Sequence, residues 1–167
     1  MDICLQPFQG ETEAAVSLIQ GFWREHNHYD QNPEDAMADL RDWTKDGHRF
    51  YFILLENIPI GFLHLGSRGG EIDWLEDLYV MHSHQNQGIG TRAIQLAESL
   101  VMEYSDSLYI EAAARNERAI RLYHRLGYGC LNTITLRKDF RPEEQEVIRR
   151  EQVYGLSFDI KRYRETE

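Results

Sequence analysis

The stretch Gln85-Asn86-Gln87-Gly88-Ile89-Gly90-Thr91 is the densest chemical feature of the chain. Closely spaced glycines let a backbone approach a ligand, and a helix starting there presents unpaired N–H groups at the positive end of its dipole. Phosphate is the natural guest of such a turn. No lysine follows Gly88 or Gly90 at the spacing a P-loop requires. Gly88-Ile89-Gly90-Thr91-Arg92-Ala93 matches the letters G-x-G-x-x-G/A of dinucleotide-binding folds, and Glu111 lies near the expected acidic position. In those folds the strand runs almost straight into the first glycine, whereas residues 81–87 intervene here, and little chain remains for further βα repeats. A pyrophosphate cradle of a different kind is the third reading.

Just upstream, Glu71, Asp73, Glu76 and Asp77 place four acids on one predicted strand. In an unbulged strand Glu76 shares a face with Ile72, Trp74, Leu78 and Val80, an acid among apolar neighbours and so a candidate proton acceptor. A β-bulge turns Asp77 to that face instead. The pairs His26-x-His28 and His82-x-His84 lack further ligands at metal-site spacings, so no metal is expected. Cys130 has no His/Asp constellation near it in sequence and reads as buried packing, not as a nucleophile.

These residues need elements to hold them. A first strand is predicted over 2–7 and a helix over 11–25, with Ala15, Leu18, Ile19 and Phe22 at helical spacing. The polar stretch 26–31 leads to a second helix at about 33–45. Phe50 to Leu55 and Ile58 to Leu65 form a hairpin around Glu56-Asn57, and a strand follows over 71–80. The clearest helix covers 88–104, its stripe made by Ile89, Ala93, Leu96, Ala97, Leu100, Val101 and Tyr104. A strand over 107–113 precedes a helix capped by Asn116 and stopped by Gly127, with Ala119, Leu122, Tyr123 and Leu126 on one side. Final strands are expected near 131–137 and 152–160, the latter with Tyr154, Leu156, Phe158 and Ile160 alternating. Alternating strands and helices between hairpins give a mixed α/β (α+β) sheet.

Composition narrows the functions. At 167 residues, 42% hydrophobic and without repeats or linker-like tracts, the chain reads as one globular domain, residues 1–167. Lys plus Arg total 18 against 28 for Asp plus Glu, a net charge of −10. That balance argues against nucleic acid and favours a cationic partner. No apolar run approaches a membrane span, no basic head precedes an apolar leader, and two cysteines make no disulfide framework, so a reduced cytoplasmic setting is the expectation.

Two of these segments also carry a family pattern. Leu78-Tyr79-Val80, a loop, and then Gln85-Asn86-Gln87-Gly88-Ile89-Gly90 resemble the Q/R-x-x-G-x-G/A acetyl-coenzyme A motif of the GNAT superfamily of N-acetyltransferases. Glu111 to Asn116, then Ala119, Leu122-Tyr123 and Leu126-Gly127-Tyr128, resemble its second motif, N-x-x-A-x-x-L-Y-x-x-x-G-F/Y. The likeness is tight over about 71–130 and rests elsewhere on element order. It implies a mostly antiparallel sheet of about seven strands flanked by about four helices. It also implies backbone pairing of Leu78, Tyr79 and Val80 with pantetheine, a pyrophosphate held by the amides of Asn86 to Thr91, and Asn116 near the pantetheine. The loop has Gln85, Asn86 and Gln87 where many members carry Arg or Lys, which shifts the burden of phosphate binding to the helix N-terminus.

Acetyl transfer to an amine must strip a proton from an alkylammonium of pKa roughly 10 and supply one to the departing thiolate. The resemblance implies Tyr123 as the acid and Val80 N–H for the oxyanion, and the strand-face reading selects Glu76 as the base, directly or through water. Asp77, Glu111 and solvent are the alternatives for the base. Trp74 to Met81 is also similar to the strand of spermidine/spermine acetyltransferases in which an acid contacts the amine, so Trp74, Asp77 and Glu111 join the substrate-binding candidates. The stretch 23–30 falls where members build a substrate-covering loop. The expected function is acetyl transfer from acetyl-CoA to a small, cationic primary amine in a ternary complex, with a homodimer by analogy. The alternatives are a protein N-terminal or lysine acetyltransferase and a non-catalytic acetyl-CoA sensing module.

Overall fold

The computed structural model describes residues 2–164, which divide into two compact units, one up to Glu111 and one from Ala112 on. In the first unit the strands run β1(Ile3–Pro7), β2(His48–Leu55), β3(Ile58–Gly66), β4(Trp74–Val80) and β5(Tyr109–Ile110), in that order across one sheet. The first three pairings are antiparallel, and β4 pairs β5 in parallel. Glu56 and Asn57 both have positive φ, 51° and 64°, as a tight two-residue turn whose twist matches the flanking strands demands. The register slips between Ile53 and Leu54, opposite Pro59, and such a bulge tolerates a residue that cannot donate to the ladder.

Helices cover both faces. On one side α1(Thr12–Asn27) and α2(Pro33–Thr44) bury Ala15, Leu18, Ile19, Phe22, Ala36 and Leu40 against Phe50, Phe52, Leu54, Phe62 and Tyr79. Pro33 sits in the first turn of α2, where its missing N–H costs nothing, and Asn32 caps the helix through Asp35 N at 2.8 Å. On the other side α3(Ile89–Val101) lays Ile89 and Ala93 on Ile3, Ile53, Ile60 and Val80. Its buried stripe is Ile89, Ala93, Ile94, Ala97 and Val101, shorter than the expected span, because the chain turns out of the helix at Met102.

The second unit holds α4(Glu117–Arg125) and a hairpin of β6(Gln145–Val153) and β7(Leu156–Tyr163). Asn116 caps α4 by accepting from Ala119 N, and Gly127 follows with φ 104°, where left-handed backbone releases the helix. Two expectations are corrected here. Residues 131–137 form no strand, since alternating apolar letters make a strand only where a neighbour supplies the ladder. The single strand expected over 152–160 is a hairpin that turns at Tyr154 and Gly155, with φ 54° and 75°. The described residues thus contain seven strands and four helices, a mixed and mostly antiparallel arrangement split into sheets of five and two strands.

Candidate active site

β4 is the organising strand. Its register with β3 shifts between His64 and Leu65, so that Asp77 pairs His64 while Leu75 pairs Leu65, and Glu76 is the extra residue of a β-bulge. Asp77 therefore shares its side with Trp74 and Tyr79, whereas Leu78 and Val80 belong to the α3 side. The grouping of Glu76 with Leu78 and Val80 expected for an unbulged strand does not occur. On its other edge β4 pairs β5 only at Trp74↔Tyr109 and Leu75↔Ile110. Beyond Leu75, residues 76–80 pair with no further strand of this sheet among the described residues.

Glu76 does not lie among apolar side chains either. Arg68, in the loop between β3 and β4, grips it through both carboxylate oxygens at 2.9 and 2.7 Å. The same guanidinium reaches Glu111 at 2.5 Å and lies 3.8 Å above the Trp74 ring, which in turn stacks on Tyr109. Trp74, Glu76 and Glu111 are thereby brought together around one cation. Two carboxylates hold the Arg68 guanidinium in its charged form and raise its pKa further above the ordinary value. Asp77 stands apart from this group, 2.8 Å from His64 Nδ1.

The glycine turn lies beside this edge of β4. Asn86 and Gly88 have φ 60° and 80°, and Gly88, which has no side chain to cap with, is the N-cap of α3. A Cβ at Gly88 would meet nothing within 4 Å, and one at Gly90 would just touch Leu78 at 4.0 Å. The N-terminus of α3 therefore abuts β4 at Leu78, which suits a phosphate joined to an extended arm along that edge. Gln85 is engaged elsewhere: its amide donates to Val80 O at 2.8 Å and to Glu25 at 2.7 Å. The Tyr79 hydroxyl donates to the same Glu25 carboxylate at 2.9 Å, and burial, then that bond, raises the phenol pKa. Glu25 thus ties α1 to the start of the loop.

In the second unit Tyr123 lies on α4 with its ring 6.1 Å from that of Tyr128, and burial raises its pKa. It stays a protonated phenol at neutral pH. Asn116 spends its side-chain oxygen on the cap of α4. Around 23–30, α1 continues to Asn27, and Arg24 pairs Asp30 at 2.6 Å while Trp23 and Gln31 both donate to Asp39 at 2.7 Å. Cys130 is exposed, contrary to its reading as buried packing. Among the described residues no group of three or more His, Cys, Asp or Glu could hold a metal ion, and no helix is long and apolar enough to cross a membrane.

Three residues of this region escaped the sequence reading, Arg68, His48 and His64, and Glu25 entered it only within the stretch 23–30, without its bonds to Tyr79 and Gln85. A histidine inside the apolar run Ile60 to Leu65 was the available signal for His64. Arg68 carries no local signal, and the partners of Glu25 could not be read, since both find theirs far away in sequence.

A strand β4 unpaired along 76–80, followed by a glycine turn at the start of α3, is compatible with an acetyl-coenzyme A-dependent acyltransferase. The chain belongs to the acetyltransferase (GNAT) family, which it matches over residues 15–128. It is 29% identical over 137 residues to COP9 signalosome complex subunit 5 of Emericella nidulans, covering 72% of this chain and 40% of that one. The chain thus spans about 40% of the length of that curated relative. Among solved structures, a possible acetyltransferase from Clostridium difficile 630 superposes with a TM-score of 0.65 at 9% identity, over 83% of this chain and 98% of that one. An aminoglycoside acetyltransferase from an uncultured soil metagenomic sample, in complex with trehalose, gives 0.63 at 17% identity, over 82% and 95%. AAC(6')-Iy in complex with the bisubstrate analogue CoA-S-monomethyl-acetylneamine gives 0.63 at 14% identity, over 83% and 99%. At these identities the likeness is one of fold.

Proposed function

We propose that the protein acetylates a small primary amine carrying more than one positive charge, of polyamine or aminoglycoside type, in a ternary complex with acetyl-CoA. The observation that carries the substrate class is the seat of Arg68. Trp74, Glu76 and Glu111 already hold a cation between an aromatic face and two carboxylates, the chemistry by which proteins select ammonium and guanidinium groups. The net charge of −10 favours approach of such a substrate. Aminoglycoside acetyltransferases among the fold relatives accord with it.

Acetyl-CoA supplies an electrophilic thioester carbonyl and a thiolate leaving group. The amides of Asn86 to Thr91 hold its pyrophosphate at the positive end of α3. The backbone of Leu78, Tyr79 and Val80 pairs with its extended arm as an added strand would, and Val80 N–H stabilises the oxyanion. Tyr123, a phenol that burial makes harder still to ionise, donates to the leaving thiolate. Asn116 orients the arm. Trp74, Glu76, Asp77 and Glu111 attract and place the cation. The family match crosses the division at residue 111, which supports reading both units as parts of one acetyltransferase domain. The proposed setting is the cytoplasm, with a homodimer by likeness to the family.

The test is free-thiol release from acetyl-CoA at mildly alkaline pH with polyamines, aminoglycosides, amino acids and short peptides. Turnover with multi-amine compounds is the expected result. Turnover with peptides alone would move the function to protein acetylation. Tight coenzyme A binding with silence across the panel would mark a sensing module.

A further inference from the structure

Glu25 stands where a helix disfavours it. It lies in the last turn of α1, at the negative end of the dipole, yet two donors from outside the helix hold it there. The Tyr79 hydroxyl donates to one carboxylate oxygen at 2.9 Å and the Gln85 side-chain amide to the other at 2.7 Å. Gly21 makes room for this meeting. It lies one turn before Glu25 on the same face of α1, and a Cβ there would stand 2.7 Å from the Tyr79 hydroxyl oxygen. Glycine is a poor helix former. Here its bare surface lets the phenol cross α1 and reach Glu25.

The Gln85 amide has a second bond, to Val80 O at 2.8 Å, so each of its two protons has an acceptor. The ladder shows which way that carbonyl points. Met81 N donates to Ile60 O at 2.8 Å, so the Met81 amide faces β3. Successive residues of an antiparallel strand direct their N–H and C=O to opposite sides, and Val80, which pairs Gly61, therefore turns both groups away from β3. That is the side on which β4 pairs with no further strand of this sheet beyond Leu75 among the described residues. Gln85 thus covers the last acceptor of this edge and leaves the Val80 N–H beside it.

A strand edge does not by itself say where an added segment must stop. Sliding an extended arm by two residues, about 7 Å, restores the same kind of backbone bonds and carries its reactive end to a different place. An acceptor already occupied at Val80 removes that freedom, because the pairing pattern ends there in a donor.

We propose that Glu25 is a positioning residue for the acyl donor: by holding the Gln85 amide on Val80 O, it sets the register in which the thioester meets the Val80 N–H. The role rests on the acetyl-CoA reading above. Glu25 acts through Gln85 and touches neither the cofactor nor the amine. Its bond from Tyr79 anchors the carboxylate to β4, so the strand that receives the arm also aims the group that ends the edge.

Glu25→Gln tests this at constant volume, since an amide in place of the carboxylate turns a donor toward one of its two partners. In the thiol-release assay kcat should fall ~10-fold with the best amine, while the calorimetric Kd for coenzyme A stays within about twofold, the arm being bound but out of register. Gln85→Ala should act alike, and the double variant should lose no more than either single one, because both break one device. Proton–nitrogen NMR reads the geometry without catalysis: the Gln85 side-chain NH2 should exchange slowly in the wild type and lose that protection in Glu25→Gln. A folded Glu25→Gln protein with wild-type kcat overturns the proposal. A fall in kcat matched by an equal loss of coenzyme A affinity also overturns it, making Glu25 a prop of the loop, as does an additive loss in the double variant. If neither variant folds, the wild-type spectrum decides, and a Gln85 NH2 exchanging as fast as solvent-exposed glutamines overturns it. Wild-type protein that binds coenzyme A and acetylates no amine is a distinct result, which removes the acetylation reading and the role of Glu25 with it.

Discussion

Gly61→Ala tests the geometry on which the site depends. Gly61 pairs Val80 across β3 and β4, and a Cβ there would stand 2.1 Å from Tyr79 O and 3.0 Å from Val80 Cα. Ordinary contacts lie at 3.4–4 Å, so β4 must retreat by more than an ångström, and both clashing atoms are backbone with no rotamer to yield. Overpacking of this kind costs ~1–3 kcal/mol, and at roughly 2–4 °C per kcal/mol the melting temperature should fall by several degrees. The displaced segment is the one assigned to the arm of acetyl-CoA and to the oxyanion. A misplacement of about 1 Å at a reacting centre can cost ~10²-fold in rate. Thermal melting followed by circular dichroism and thiol release with the best amine should therefore both change. Gly70→Ala is the control, since a Cβ there meets nothing within 4 Å. A Gly61→Ala protein that melts and turns over like Gly70→Ala would falsify the close β3–β4 approach.

Other outcomes follow from the same geometry. Tyr123→Phe should cut turnover by ~10²-fold or more without changing coenzyme A affinity measured by calorimetry, and an unchanged rate would remove Tyr123 as the acid. Arg68→Ala frees Glu76 and Glu111 at a stability cost of only about 1 kcal/mol, since the guanidinium is partly exposed. If those acids place the substrate, the variant should bind a polyamine more tightly, read as a lower KM; a raised KM would make Arg68 part of the binding surface. Asn116→Ala should destabilise α4 by ~1 kcal/mol, seen as faster amide exchange in the second unit, through loss of its bond to Ala119 N.

Much of the framework was legible because it rests on local chemistry. The Glu56-Asn57 turn, the Asn116 cap and the Gly127 stop are each written in a few adjacent letters, and each is where the sequence predicts. The α3 stripe follows from helical periodicity alone. The last strands were less legible because alternation does not say which partner a strand will find: 131–137 finds none, and 152–160 folds back on itself at Tyr154.

The side-chain surroundings of the site belong to a different level. Residue type and spacing singled out the glycine turn, since a phosphate cradle needs glycines and a helix start in one short segment, whereas α4 was singled out by its resemblance to the family's second motif. A single extra residue in β4 then decided that Glu76 meets Arg68 and that Asp77 meets His64, a choice set by the register against β3. Arg68 reaches Glu111 across 43 positions and His48 reaches His64 across 16, contacts that exist only once the sheet has closed. What the sequence by itself determined were the elements and the chemistry they can carry; which acids a guanidinium grips and which one meets an imidazole was decided by tertiary pairing.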